Sequence, residues 1–202
     1  MLVIKKKLQN FFKLISYKIF KLIYGNIYAK TSHYDNQEIK MREISIDNIS
    51  YKIFYCHKSS LYTDTIHDTA FIKENKIIEG PSFQLRNNFN MDCLNNSVIN
   101  KGTPRLRKKI NGKVLSLLTG GGGNSNYWHW LFDVLPRIEI FERNKESLDS
   151  IDFFLFPKLN SNFQKQSLDL LQINKKKRLS SKSYRHFYAD EIIVTSHPYT
   201  LL

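Results

Sequence analysis

Four consecutive glycines, Gly120 to Gly123, separate a short apolar run from a helical pattern, and that junction constrains the fold more than any other feature of the chain. In "KVLSLLTGGGGNSNYWHWLFDVLPRIEIFERN", Val114 to Leu118 reads as a buried strand, and Asn124, Ser125 and Asn126 are candidate helix caps. The helix predicted to follow carries Trp128, Leu131, Phe132, Leu135, Ile138 and Phe141 as its apolar side. A strand, a glycine turn and a helix N-terminus let backbone N–H groups and the helix dipole meet an anion or a sugar hydroxyl. The run has neither the GK[ST] of a P-loop nor the GxGxxG spacing, so a plain flexible loop is the other reading.

The polar residues of the predicted helix fall in a row. His129, Asp133 and Arg137 lie at i, i+4 and i+8, with Asn126 three positions before His129, so all four share one face within about 80°. A histidine and a carboxylate one turn apart can hydrogen bond, which orients the imidazole as a general base requires. Arg137 adds a positive fork suited to phosphate or carboxylate, and Pro136 is expected to kink the helix before it. An exposed salt-bridged stripe is the structural alternative, although tryptophans on both sides of His129 argue against full exposure.

The flanking sequence sets the fold class. Ile151 to Pro157 and Ala189 to His197 are compact apolar runs, and Asn162 to Ile173 has a helical period. Strands alternating with helices predict a parallel α/β sheet with right-handed crossovers over residues 111–202, with ligands at the carboxyl ends of its strands. Thr119 to Asn126 and Ser196 to Pro198 would both lie at that end, and His197 takes either a cleft role or a core role. Residues 35–110 read as a β-rich segment: "REISIDNISYKIFY" alternates apolar and polar, and "TAFIKENKIIEG" pairs two runs around Glu74 and Asn75. Four or five short strands are expected between Met41 and Phe89. His57 and His67 match no metal-ligand spacing and no metal site is expected.

Charge says what surrounds the chain. It has 202 residues and a formal net charge of +13, of which residues 1–34 supply +7 through Lys5, Lys6, Lys7, Lys13, Lys18, Lys21 and Lys30 without one acid. Two further basic patches are Lys101, Arg105, Arg107, Lys108, Lys109 and Lys113, and Lys175, Lys176, Lys177, Arg178, Lys182 and Arg185. They point to polyanionic surroundings: phosphate-bearing ligands, anionic lipid or nucleic acid. Residues 1–34 also carry Ile4, Leu8, Phe11, Ile15, Ile19 and Leu22 at spacings of 4, 3, 4, 4 and 3, one stripe of a helix that Gly25 would stop. Lysines interrupt every apolar stretch, so neither a secretory signal nor a transmembrane span is expected. The stripe fits an in-plane helix on an anionic membrane, with docking on the core or a partner as the alternative. Two isolated cysteines, Cys56 and Cys93, exclude a disulfide scaffold and a cysteine-rich zinc site and suit a cytoplasmic protein. A basic nucleic-acid-binding module is a second functional class, but no nucleic-acid motif is present. A non-catalytic membrane-associated remnant is a third.

"NYWHWLFDVLPRIEIFE", followed some fifty residues on by "DEIIVTSHP", resembles the glycosyltransferase family 61 signature of bacterial capsular polysaccharide biosynthesis proteins. The likeness covers residues 114–198 and falls on His129, Trp130, Asp133, Pro136 and Arg137, then His197 and Pro198. It implies a GT-B architecture of two Rossmann-like domains and metal-independent, inverting transfer of a sugar from a nucleotide-sugar, with no cofactor. Family members continue into a second domain that carries most of the nucleotide-sugar site, whereas this chain stops at Leu202, so an acceptor-side N-terminal half is expected. On this reading His129 and Asp133 are the catalytic pair. Gly120, Gly121, Gly122, Gly123, Asn124, Asn126, Trp130, Arg137 and His197 line the substrate site. The partners are a nucleotide-sugar, a growing surface polysaccharide, an anionic membrane at the inner face of the cell and a second chain or domain.

Overall fold

The computed structural model describes residues 2–31, 39–84 and 93–198. Phe89, Leu201 and Leu202 lie outside the described residues, as do the side chains of Ile4, Lys5, Lys6, Lys7, Leu8 and Lys30. Helix α1 (Leu2–Tyr24) leads into strands β1 (Tyr28–Thr31), β2 (Ile39–Ile46), β3 (Ile49–Thr63), β4 (Asp68–Lys73), β5 (Lys76–Ile78) and β6 (Phe83–Gln84). The short helix α2 (Val98–Lys101) and strand β7 (Lys108–Ser116) precede helices α3 (Tyr127–His129) and α4 (Pro136–Arg143). Strand β8 (Phe153–Phe156), helix α5 (Asn162–Leu170) and strands β9 (Arg178–Ser180) and β10 (His186–Thr195) complete the order.

The fold is mixed α/β, built on one ten-stranded sheet in the order β1-β5-β4-β3-β10-β7-β8-β9, with β2 on β3 and β6 on β4. From β10 to β9 all neighbours are parallel, with Val114 opposite both Ile192 and Phe153. The expected parallel trio of β7, β8 and β10 is therefore present. The sheet then continues without a break, because β10 also pairs antiparallel with β3 from His186↔Tyr62 to Thr195↔Ile53. The change of character at residue 110 falls inside β7, not in a linker.

Local chemistry explains the antiparallel half. Asp47 and Asn48 have φ of 49° and 65°, and Glu74 and Asn75 have 49° and 60°. Two successive left-handed residues match the right-handed strand twist and fold β2 onto β3 and β4 onto β5 as tight hairpins. The strands are less uniformly short than expected, since β3 runs for 15 residues. It pairs β2 from Ile49 to Cys56, β4 from Ser60 to Thr63 and, on its other edge, β10 from Ile53 to Tyr62, so backbone satisfaction sustains the length.

The central strands are buried on both faces. Val114, Leu118, Ile192, Val194, Leu155 and Phe54 pack on one face, in a cluster made only of strand and adjoining loop residues among those described. Leu115, Ile193, Phe154, Phe156 and Ile53 pack on the other, beneath Trp130, Val134, Ile138 and Phe141 and beneath Leu168 of α5. The described helices after β7 thus cover a single face, a departure from the two-sided helix layers expected of a Rossmann-like sheet. The short β9 follows directly on the basic run Lys175, Lys176 and Lys177 and buries only Leu179, so it leaves no apolar pattern in the sequence.

His186 begins β10 buried: its Nδ1 lies 2.8 Å from the Arg105 carbonyl, and the rings of Tyr24 and Tyr62 meet it edge to face with centroids 5.1 and 5.9 Å away. Burial pushes its pKa from 6.5 down to about 4, against the hydrogen bond to Arg105, which raises it. The unfolded chain therefore takes up the proton first as pH falls. The stability held by neutral His186 is complete above about 6.5 and drains away toward 4. Urea unfolding at pH 7 and pH 4.5 should show about 2–3 kcal/mol less stability at the lower pH from this group. His186→Gln should flatten that part of the profile; an unchanged profile refutes the assignment.

Candidate active site

The Asn126 side chain accepts a hydrogen bond from the Trp128 amide at 2.9 Å and so caps α3. Of the three expected caps it is the one that serves. The helix does not run on regularly: over Trp130–Val134 it widens to a π turn, with the Leu135 amide bonded to the Trp130 carbonyl at 3.1 Å. Pro136 then occupies the start of α4. A proline has no N–H to give and its ring crowds the preceding turn, so the wide turn lets the chain pass into α4 without breaking.

One turn into this helix, His129 Nδ1 and Asp133 Oδ2 lie 2.7 Å apart. The Asp133 side chain is 7% exposed and the His129 side chain 41% exposed, so the carboxylate is sunk and the ring reaches solvent. With Asp133 ionised, Nδ1 donates to it and Nε2 carries the lone pair. The ring lies against the glycine turn: a Cβ on Gly122 would stand 2.6 Å from His129 Cδ2 and 2.7 Å from Cγ. A Cβ on Gly123 would meet Val134 Cγ2 at 2.8 Å and Pro157 Cγ at 3.0 Å. These two positions are glycine because the helix and the imidazole come too close for any side chain.

The turn is not the open anion cradle that the sequence predicts. The Gly121 amide donates to the Ile66 carbonyl at 2.8 Å, and the Asn124 amide to the Gly121 carbonyl at 3.1 Å. The Asn124 side chain donates to the Thr65 carbonyl and accepts from the Lys158 amide, at 2.8 and 2.9 Å, which ties the turn to two other loops. Gly121 and Asn124 build the site and have few groups left to bind with. Sequence reading also missed Gln164. It is buried, donates to the Gly123 carbonyl at 3.0 Å and accepts from the Asn160 and Ser161 amides at 2.9 Å, clamping the turn to α5. Ser161 followed three residues on by Gln164 was the available signal.

Trp130 is likewise not at the surface. It is fully buried, stands in helical phase with Val134, Ile138 and Phe141, and donates from Nε1 to Ser167 Oγ at 2.8 Å. Tyr127, Trp128 and Phe132 are exposed instead, with the Trp128 and Phe132 rings 4.2 Å apart; of the apolar residues expected on the helix, Ile138 and Phe141 are buried whereas Trp128 and Phe132 are not. Arg137 departs most from the sequence reading. The residue is only 4% exposed, and its Nε and Nη1 have no hydrogen-bond partner among the described residues. Burial lowers its pKa to about 10, with the charge of Asp133 acting to raise it. The guanidinium thus stays charged at neutral pH inside the protein.

His197 is half-buried in the turn after β10, and Gly120 in the turn after β7, so both flank the carboxyl end of neighbouring parallel strands. Ser116, Thr119 and Thr195 at the same end bury hydroxyl oxygens that lack a partner among the described residues. The arrangement supplies an imidazole held by a buried carboxylate, a tilted pair of exposed aromatic rings and a buried cation, all along one helical stretch. Among the described residues no group of His, Cys, Asp and Glu side chains stands ready to hold a metal ion. No protein-family model matches the chain, and no curated protein or solved structure matches it either.

Proposed function

We propose that this chain belongs to an inverting, metal-independent glycosyltransferase of the family 61 type, with a Rossmann-like GT-B fold. The observation that carries the reading is the row His129, Asp133 and Arg137, in which an oriented imidazole and a buried guanidinium whose Nε and Nη1 have no hydrogen-bond partner among the described residues share one helical stretch. In an inverting transfer the acceptor hydroxyl oxygen attacks the anomeric carbon and gives its proton to a base. The bond from that carbon to the diphosphate breaks, and the electron pair leaves on the phosphate oxygen. His129 Nε2 takes the proton, Asp133 holds the ring and offsets its new charge, and Arg137 stabilises negative charge at the donor. Trp128 and Phe132 offer a face on which a sugar ring stacks.

The acceptor in this reading is a growing surface polysaccharide, and the protein works at the inner face of the cell membrane. Attachment there is peripheral in this reading, through the lysine-edged apolar stripe of α1; among the described residues no helix is long and apolar enough to cross a membrane. The test is transfer from radiolabelled nucleotide-sugars, in the full natural protein, onto polysaccharide extracted from the source cells. Label should enter the polymer with release of one nucleoside diphosphate per sugar. Absence of transfer from every common nucleotide-sugar, with the protein folded, overturns the reading.

A further inference from the structure

The three basic patches, far apart in sequence, meet in space. Helix α1 is fastened to the body by Tyr24, whose hydroxyl accepts from the Arg107 amide at 3.0 Å and whose ring lies under the Arg107 guanidinium at 4.8 Å. Beside that attachment is a cavity of about 460 Å³ lined by Lys13 of α1, Lys101 and Arg105 of the second patch, and Arg185 of the third. A neighbouring hollow of about 390 Å³ shares Arg105 and Arg185 and adds Lys182. Lys13, Lys101, Arg105 and Lys182 have no ion-pair partner among the described residues. Asp64, the one acid on the wall, already accepts three backbone amides at its Oδ1. Buried Tyr62 lines the same wall. Burial pushes its pKa up to about 12, so its hydroxyl is a donor at neutral pH.

What stands next to this cavity decides what it takes. The α1 stripe of Phe11, Ile15, Ile19, Leu22 and Ile23 points away from the body into solvent, with Leu22 87% exposed, while Ser16, Tyr17, Phe20 and Tyr24 face inward. Among the described residues, these five side chains therefore do not pack on the chain's own core. A second copy is disfavoured because α1 carries lysines and no acid, so two such helices repel. An apolar stripe edged by lysines is complementary to an anionic bilayer surface, where the helix lies flat with its apolar side among the acyl chains. Its other side, and the cavity behind it, then sit at headgroup depth.

We propose that the cavity between α1 and residues 97–105 is a binding site for the phosphate of a membrane lipid, held by Arg105, Lys101, Lys13 and Arg185 while the α1 stripe is embedded. The proposal rests on the peripheral placement given above, and the experiment separates the two. Vesicles of phosphatidylcholine are given equal surface charge with either phosphatidic acid or oleic acid, and co-sedimentation of the full protein is measured on each.

Wild type should bind the phosphatidic acid vesicles about tenfold more tightly than the oleate vesicles, since removing a phosphate contact from two cations costs about that much. Lys101→Ser with Arg105→Ser should bind both vesicles equally while still sedimenting. Ile19→Glu with Leu22→Glu should abolish binding to all vesicles; undiminished binding by that variant overturns the embedding of the α1 stripe and the lipid site with it, and failure of wild type to sediment with either vesicle overturns the peripheral placement itself. Equal binding of wild type to the two charge-matched vesicles overturns the lipid-phosphate site. So does a preference that survives in the Lys101 and Arg105 variant. Inorganic phosphate that erases the preference at millimolar concentration assigns the cavity to soluble phosphate, and single-stranded RNA that strips the protein from the vesicles assigns the basic surface to nucleic acid. Either result overturns the lipid source.

Discussion

His129→Ala and Asp133→Asn should each lower sugar transfer by roughly a hundredfold or more; His129→Ala should shift unfolding by no more than about 1 kcal/mol, and Asp133→Asn by more, because it also takes the opposing charge from buried Arg137. The asymmetry follows from where the two atoms of the pair sit. Asp133 is sunk and His129 reaches solvent, so the carboxylate fixes the ring from below and Nε2 remains for the substrate. Replacing Asp133 by Asn keeps the shape but offers an amide that supports the imidazolium less well. The rate should fall while KM for the donor changes little, the pattern of an interaction strongest in the transition state. Gly122→Ala should share this phenotype, because its Cβ would press on the ring at 2.6 Å and displace it from Asp133. A pair that served only to join two turns of helix would show the reverse, with loss of stability and near-normal transfer. Transfer and urea midpoints measured on the same three variants decide between them.

The pairing of His129 with Asp133 was legible because it needs only helical spacing, and a π turn that starts at Trp130 still brings residue 133 back beneath residue 129. The strands β7, β8 and β10 were legible for a comparable reason: burial on both faces writes continuous apolar runs. What the sequence could not carry was the phase of the helix relative to the sheet. Trp128 and Trp130 are both aromatic and two positions apart, so composition does not say which one faces Ile193 and Phe156. Nor did the glycines declare their use. A run of four reads as a loop that binds, whereas Gly122 and Gly123 are there to be approached by His129 and Val134. The convergence of Lys13, Lys101 and Arg185 was hidden as well, since it depends on how α1, α2 and β10 assemble and not on any local pattern.

Arg137→Met should make the protein more stable, by about 1–2 kcal/mol, and less active by at least the hundredfold expected of the base pair. A cation carried into the interior without hydrogen bonds at Nε and Nη1 loses its hydration, and among the described residues the opposing charge that acts on it is that of Asp133. Methionine fills similar volume with an apolar chain, so the folded state should gain. Natural sequences keep such a cost where the site needs it, and here the need is a dehydrated guanidinium whose pull on a phosphate is not shared with water. Pyrophosphate therefore provides an independent readout. It should raise the wild-type melting temperature in proportion to the logarithm of its concentration and leave Arg137→Met unmoved. Arg137→Lys keeps the charge but not the fork, so it should recover only part of the activity. If Arg137→Met instead unfolds more easily and wild type gains nothing from pyrophosphate, the guanidinium is part of the core, and the row along the helix ends at Asp133.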